Sequence, residues 1–210
     1  MTFRDIYQDY IDLTRKADIA FKKTALKIED AFKCGSHCSE CCHAVFGVFL
    51  IEACQIKNHF DMLDRKIRHQ ALKRGEKADK ALQKLSNKFD QSNSDQQRDH
   101  SLFSKTRIRC PLLDNKNECI IYPFRPITCR VYGIPTIING TAHVCGKSGF
   151  KRGVSYPAFN LDGSYEKLYQ LSMEFLKISR KNDLQRASLM LSISKVIKTP
   201  IQALIAGHFE

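Results

Sequence analysis

The residues of this 210-residue chain whose type and spacing could do chemistry are its nine cysteines. Four lie together as C-x3-C-x2-C-C at Cys34, Cys38, Cys41 and Cys42, and four follow as C-x8-C-x9-C-x15-C at Cys110, Cys119, Cys129 and Cys145. Four thiolates satisfy one tetrahedral zinc or one iron–sulfur cluster, so eight imply one or two metal centres. The segment from Arg109 to Arg130, RCPLLDNKNECIIYPFRPITCR, is too interrupted by proline to be one long helix or a central strand. Its thiols are therefore held on stiff loops, as ligand placement requires.

Side chains of adjacent residues diverge, so Cys41 and Cys42 are expected to reach different metals, or one of them to serve beside the ligands. The chain offers a single C-x2-C pair, Cys38 and Cys41, where structural zinc sites commonly use two. That, together with the Cys110-Pro111 pair, favours iron–sulfur, with zinc as the alternative. The C-x3-C-x2-C spacing also matches the triad of radical S-adenosylmethionine enzymes. Glu40 stands where those enzymes usually carry an aromatic, and the surrounding chain reads as helical rather than as a barrel.

Cys54, in the apolar run LIEACQIK, reads as a small core residue. His37, His43 and His143 lie beside the thiols and could replace one, but hydrogen bonding to a ligand is the more natural role. Arg125 and Arg130 flank Cys129, and guanidinium groups there would donate to the sulfurs and raise a reduction potential. Arg109 serves a surface ion pair equally well. Tyr122, Pro123 and Pro126 fix the loop.

The elements that must position these residues are mostly helical. Apolar positions at three- and four-residue steps predict a helix over about 3–32, a second from Val45 or Val48 to about Leu63, and a third over about 64–89 with Gly75 as an interruption. Residues 91–100, QSNSDQQRDH, read as an exposed linker. Short strands are expected at Ile120–Ile121 and at Thr136–Ile138, the latter before an Asn139-Gly140 turn. Residues 146–157 read as irregular. Two helices close the chain over about 164–180 and 183–198, the second stopping before Pro200. The fold class is mainly α, a helical scaffold around a loop-built cysteine centre, expected as a single domain over 1–210. Its cysteine core spans about 34–145, flanked by helices over 3–32 and 164–198. No internal repeat or strand–helix alternation argues for a doubly wound sheet.

Hydrophobic residues are 43% and charged residues 27% of the chain, which suits a folded globular protein. No apolar run approaches the ~20 residues of a membrane span, and acidic residues in MTFRDIYQDY argue against a signal peptide. A cytoplasmic location follows, where clustered cysteines read as ligands or redox thiols rather than disulfides. The net charge of +12 suggests an acidic partner or nucleic acid. Metal ligation would deprotonate thiols and reduce that excess. Basic residues concentrate between Arg65 and Lys88, without the interleaved aromatics of a nucleic-acid platform.

C-x3-C-x2-C-C at Cys34 to Cys42, Cys110-Pro111-Leu112-Leu113, Cys119 before Ile121-Tyr122, and Arg125-Pro126 leading to Cys129-Arg130 with a later Cys145 resemble the zinc- or iron-chelating cysteine-cluster family of YkgJ-type proteins. The resemblance covers about half the chain. It implies that Cys34, Cys38, Cys41, Cys42, Cys110, Cys119, Cys129 and Cys145 chelate zinc or iron, and it defines no catalytic group. Related sequences are labelled iron–sulfur oxidoreductases, and a similar domain occurs in flagellin lysine methylases, although no cofactor-binding motif for methyl transfer is recognisable here. The leading expectation is a metalloprotein with one or two iron–sulfur clusters, serving electron transfer or redox support of a modification reaction with an unidentified redox or protein partner. Its status as an oxidoreductase-like enzyme is open. A zinc-stapled module binding nucleic acid or an acidic protein is the alternative.

Overall fold

In the computed structural model the described residues are 2–35, 37–91, 105–151, 153–181 and 183–208. The chain is mainly helical with one small sheet. Helix α1, Phe3–Lys27, starts on a capping box: Thr2 Oγ1 accepts from the Asp5 N–H, and the Asp5 carboxylate accepts from the Thr2 N–H at 2.7 Å. Its buried stripe, Ile6, Tyr10, Thr14 and Ala17, faces the core. The helix ends five residues before the expected boundary, and a 3-10 turn, Glu29–Ala31, leads into the first cysteine segment.

Helix α2, Leu50–Asp61, is the centre of the core. Ile51, Ala53, Cys54 and Ile56 are fully buried, so Cys54 packs as expected. A helix buried on most sides must be enclosed by its neighbours, even where it carries Glu52 and Lys57. Here α1 and the helices Leu161–Ile178, Ile193–Lys198 and Ile201–Ala206 share that task. The Ile51 N–H donates to Ser172 Oγ at 3.2 Å, and buried Lys57 reaches Asp61 Oδ1 at 2.7 Å and the Ile197 carbonyl at 3.3 Å. Helix α3, Arg65–Gln91, runs unbroken through Gly75, which is buried beneath Ile197 and Lys198. Almost all of the expected 91–100 linker lies outside the described residues.

A short helix α4, Ile127–Val131, carries Cys129. Strands β1, Thr136–Ile138, and β2, Thr141–His143, form the expected hairpin, with Asn139 and Gly140 both at positive φ (51° and 67°) as a type I′ turn requires. Strand β3, Phe159–Asn160, pairs with β1 in parallel, giving the order β2-β1-β3. Helix α5, Leu161–Ile178, is capped by Asn160, and its Asp162 carboxylate accepts from the Asn139 and Gly140 N–H groups, pinning the hairpin tip.

Three expectations are corrected. Ile120–Ile121 is not a strand: Cys119 makes an isolated bridge to Leu113, and a 3-10 turn over Tyr122–Phe124 follows at once. The expected 183–198 helix is broken into a 3-10 turn, Leu184–Ser188, and helix α6, Ile193–Lys198. The break arises because Leu191 and Val48 exchange both backbone hydrogen bonds at 2.9 Å, which forces 189–191 to be extended. Finally, the chain closes on one helix more than expected: α6 does stop before Pro200, and Pro200 then caps another, α7, Ile201–Ala206.

Candidate metal centre

The two cysteine segments are joined through their backbones. The Cys110 N–H donates to the Cys42 carbonyl at 2.7 Å and the Ile108 N–H to the His43 carbonyl at 3.0 Å, with Ala44 bridging Arg107. The chain then turns back at Asp114, whose carboxylate accepts from the Lys116 and Glu118 N–H groups at 2.8 Å, while Asn117 takes a positive φ of 62°. This Asx-stabilised loop returns Cys119 beside Cys110. The α3 residue Arg74 anchors its base, donating from Nε to the Pro111 carbonyl at 2.8 Å.

Cys129 arrives from another direction and depends on a buried carboxyl. Glu52, 2% exposed, accepts from the Phe49 N–H at 3.2 Å through Oε2 and from the Ile127 N–H at 2.9 Å through Oε1. One carboxylate thus caps two helices, α2 and α4, and fixes the angle between them. Burial pushes its pKa up to about 7, against the pull of these two hydrogen bonds and of Arg130. Glu52 was invisible as a site determinant in sequence. A lone acid inside LIEACQIK was the only signal.

Five sulfurs gather at this junction, Cys41 among them. The Cys42 thiol is in hydrogen-bonding contact with Cys110 and Cys119, and Cys129 lies beside Cys41, Cys110 and Cys119. Their proton affinities alternate. Contact with Cys129 and Cys42 and the nearby Arg125 charge hold Cys41 down at about 3, and contact with Cys42 lowers Cys119. The donors Cys42 and Cys129 are raised in turn. The set is therefore able to carry thiolate in the folded chain, and full ligation would release the remaining protons.

Cys34, Cys38 and Cys145 gather separately. Burial, with Cys38, Cys41 and Cys145 nearby, pushes the Cys34 thiol up to about 12. Cys34 fits only because residue 133 is glycine: φ there is +110°, and a Cβ would stand 2.8 Å from the Cys34 Cβ. Cys145 heads a turn closed by the Ser148 N–H on the Cys145 carbonyl at 3.0 Å, and the Gly149 N–H ties that turn to Ala31 at 2.8 Å. These thiols line a cavity of about 500 Å³ that Cys41, Cys42, Cys119 and Cys129 also reach, with Lys33, His37 and Lys147 around it. Among the described residues no three Cys, His, Asp or Glu side chains already converge as ligands of a single ion.

The flanking groups have distinct partners. The Arg125 guanidinium lies 3.6 Å over the Tyr122 ring, and its buried Nε finds no acceptor among the described residues. Arg130 donates to the Arg125 carbonyl at 2.8 Å, the Pro123 carbonyl at 2.6 Å and Asp18 Oδ2 at 2.7 Å, so it fastens the loop to α1. Arg109 donates to the Leu113 and Asp114 carbonyls, which closes the same loop from its other end. His43 Nδ1 contacts the Ser39 carbonyl at 2.9 Å, His37 faces Glu118, and His143 is exposed on β2. Phe124 stacks on His59 of α2 with ring centroids 3.3 Å apart.

Eight sulfur donors beside a buried, unpartnered guanidinium nitrogen fit a thiolate-ligated, anionic metal group. The family model CxxCxxCC, described as a putative zinc- or iron-chelating domain, matches residues 33–146, more than half the chain. No curated protein and no solved structure matches. The family's designation spells C-x2-C-x2-C-C, and this chain has one residue more between Cys34 and Cys38. The Cys38 N–H closes a turn on the Gly35 carbonyl at 3.1 Å, and His37 takes φ 63° within it. With that one-residue departure, the chain belongs to the CxxCxxCC zinc- or iron-chelating family.

Proposed function

We propose that this chain binds iron–sulfur clusters and serves electron transfer, or the redox support of a modification reaction. The observation that carries the reading is Arg125, whose buried Nε–H lacks an acceptor while its charge stabilises the Cys41 and Cys119 thiolates. A donor left over beside thiolates is suited to a bridging sulfide or a ligand sulfur, and such bonds raise a cluster's potential. When bound, an iron–sulfur group would supply one-electron chemistry.

In this reading Cys42, Cys110, Cys119 and Cys129 hold one centre, and Cys34, Cys38, Cys41 and Cys145 hold the other. Cys41 and Cys42 then serve different metals, with their sulfurs in contact where the two sets meet. The protein's own residues do the positioning. The 42–44 and 107–110 backbone pairing sets Cys42 against Cys110, Glu52 sets Cys129, and Gly133 leaves room for Cys34. Anaerobic purification with iron, sulfide and zinc analysis tests this. A coloured protein with matching iron and sulfide is expected, and a colourless protein with stoichiometric zinc overturns it.

A further inference from the structure

Helix α3 has two faces of opposite character. Ala71, Ala78 and Leu85 are buried on one side. Lys66, Lys73, Lys77, Lys80, Lys84 and Lys88 are all exposed on the other. At 3.6 residues per turn these six fall within about 80° of one another and run about 33 Å along the helix. No acid interrupts them: Glu76 flanks the row, and Asp79 is turned aside to Lys198. None of the six pairs with a carboxylate among the described residues. Like charges at i,i+4, as in Lys73–Lys77, Lys80–Lys84 and Lys84–Lys88, weaken a helix. A row that costs the free chain stability is favoured by a partner that neutralises it.

The opposite face of the same helix covers the thiols. Ala78 and Leu82 share a small apolar cavity with Cys42 and Cys110, and Arg74 bonds the Pro111 carbonyl. One helix, about 10 Å across, therefore separates the lysine row from the Cys42 set. The geometry points to α3 as the docking face for an acidic one-electron carrier protein, which would exchange a single electron with the centre beneath. The carrier loses or gains that electron as the centre gains or loses it, with no bond made or broken.

This inference rests on the redox reading proposed above. Lysines are hydrated point charges suited to brief, steered encounters, and such redox interfaces are small and weak. The row carries no arginine fork and no aromatic for base contact or stacking, which disfavours nucleic acid.

The test titrates the full metal-loaded chain with an acidic flavodoxin as the probe, and follows binding by fluorescence and electron exchange by stopped flow. Binding is expected to weaken about 10-fold between about 20 and 200 mM salt. The Lys73→Glu, Lys77→Glu, Lys80→Glu, Lys84→Glu variant is expected to bind at least about 10-fold more weakly and to exchange electrons more slowly by a similar factor. Its reduction by dithionite, a small reductant, should not change. The corresponding Lys→Gln variant should show a smaller loss with unchanged circular dichroism. No binding at low salt, or binding indifferent to both variants, overturns the docking face. So does a DNA duplex whose affinity the variants abolish while the flavodoxin parameters stay constant. If the chain proves to hold only zinc but flavodoxin still binds through the lysines, the surface stands and the redox reading falls.

Discussion

The two thiol sets share one chemistry and are built in opposite ways. Cys42, Cys110, Cys119 and Cys129 are held by secondary structure: a backbone pairing, an Asx loop, and a helix whose first turn is capped by Glu52. Cys34, Cys38 and Cys145 are held by turns, with His37 and Gly133 at positive φ, and they line a cavity that Cys42, Cys119 and Cys129 also reach. The first set is preorganised by the fold, and the second depends on loops that a ligand would have to draw together.

The largest expected effect separates the sets by stability. Cys42→Ser or Cys110→Ser removes a ligand from the junction of both cysteine segments with α2 and α4. Metal bound about 1,000-fold above its dissociation constant contributes about 4 kcal/mol, or roughly 10 °C of Tm for a chain of this size. Scanning calorimetry should show about that loss for these variants, and less than half of it for Cys34→Ser. Equal losses would erase the distinction.

Next comes Glu52. Glu52→Ala leaves two buried N–H groups unpaired and should cost about 2–4 kcal/mol in urea unfolding, and Glu52→Gln about 1–3 kcal/mol. Its protonation adds a pH signature. Burial raises the folded pKa from 4.5 to about 7, so the folded chain binds the proton more tightly than the unfolded one. The resulting stability is fully present below pH 4.5 and lost as pH rises through about 7. Midpoints measured across that window should fall for the native chain and flatten for Glu52→Gln.

Gly133→Ala probes the loop-held set. Its Cβ would meet Cys34 in a backbone conformation that L-residues avoid, at a cost of about 1–3 kcal/mol. Metal analysis should find the Cys34 set depleted and the Cys42 set retained. The smallest change is Arg125→Gln. With Nε unpaired among the described residues, stability should move by about 1 kcal/mol or less, while the reduction potential of the loaded chain falls. An unchanged potential would remove Arg125 from the centre's surroundings.

Much of this comparison was legible in the sequence, up to a limit. Cysteine spacing and the CPLL and IY..RP..CR run named the family, because ligand chemistry is written in residue type. Helices α1, α2 and α3 and the Asn139-Gly140 hairpin followed from periodicity and turn chemistry. The sharing of sulfurs was not legible. Linear order groups Cys145 with Cys110, Cys119 and Cys129, but the Gly149–Ala31 hydrogen bond carries the Cys145 turn to the Cys34 side. The split of the 183–198 helix likewise needs Val48, 143 residues away from Leu191, as its pairing partner. Long-range backbone pairing leaves no local trace.

Metal counting on paired cysteine variants tests the interleaved arrangement most directly. If Cys145 completes the Cys34 set, Cys34→Ser/Cys145→Ser retains half the metal of the native chain and Cys34→Ser/Cys42→Ser retains none. The reverse result, half retained in Cys34→Ser/Cys42→Ser and none in Cys34→Ser/Cys145→Ser, would mean that the two centres follow chain order and would contradict this account.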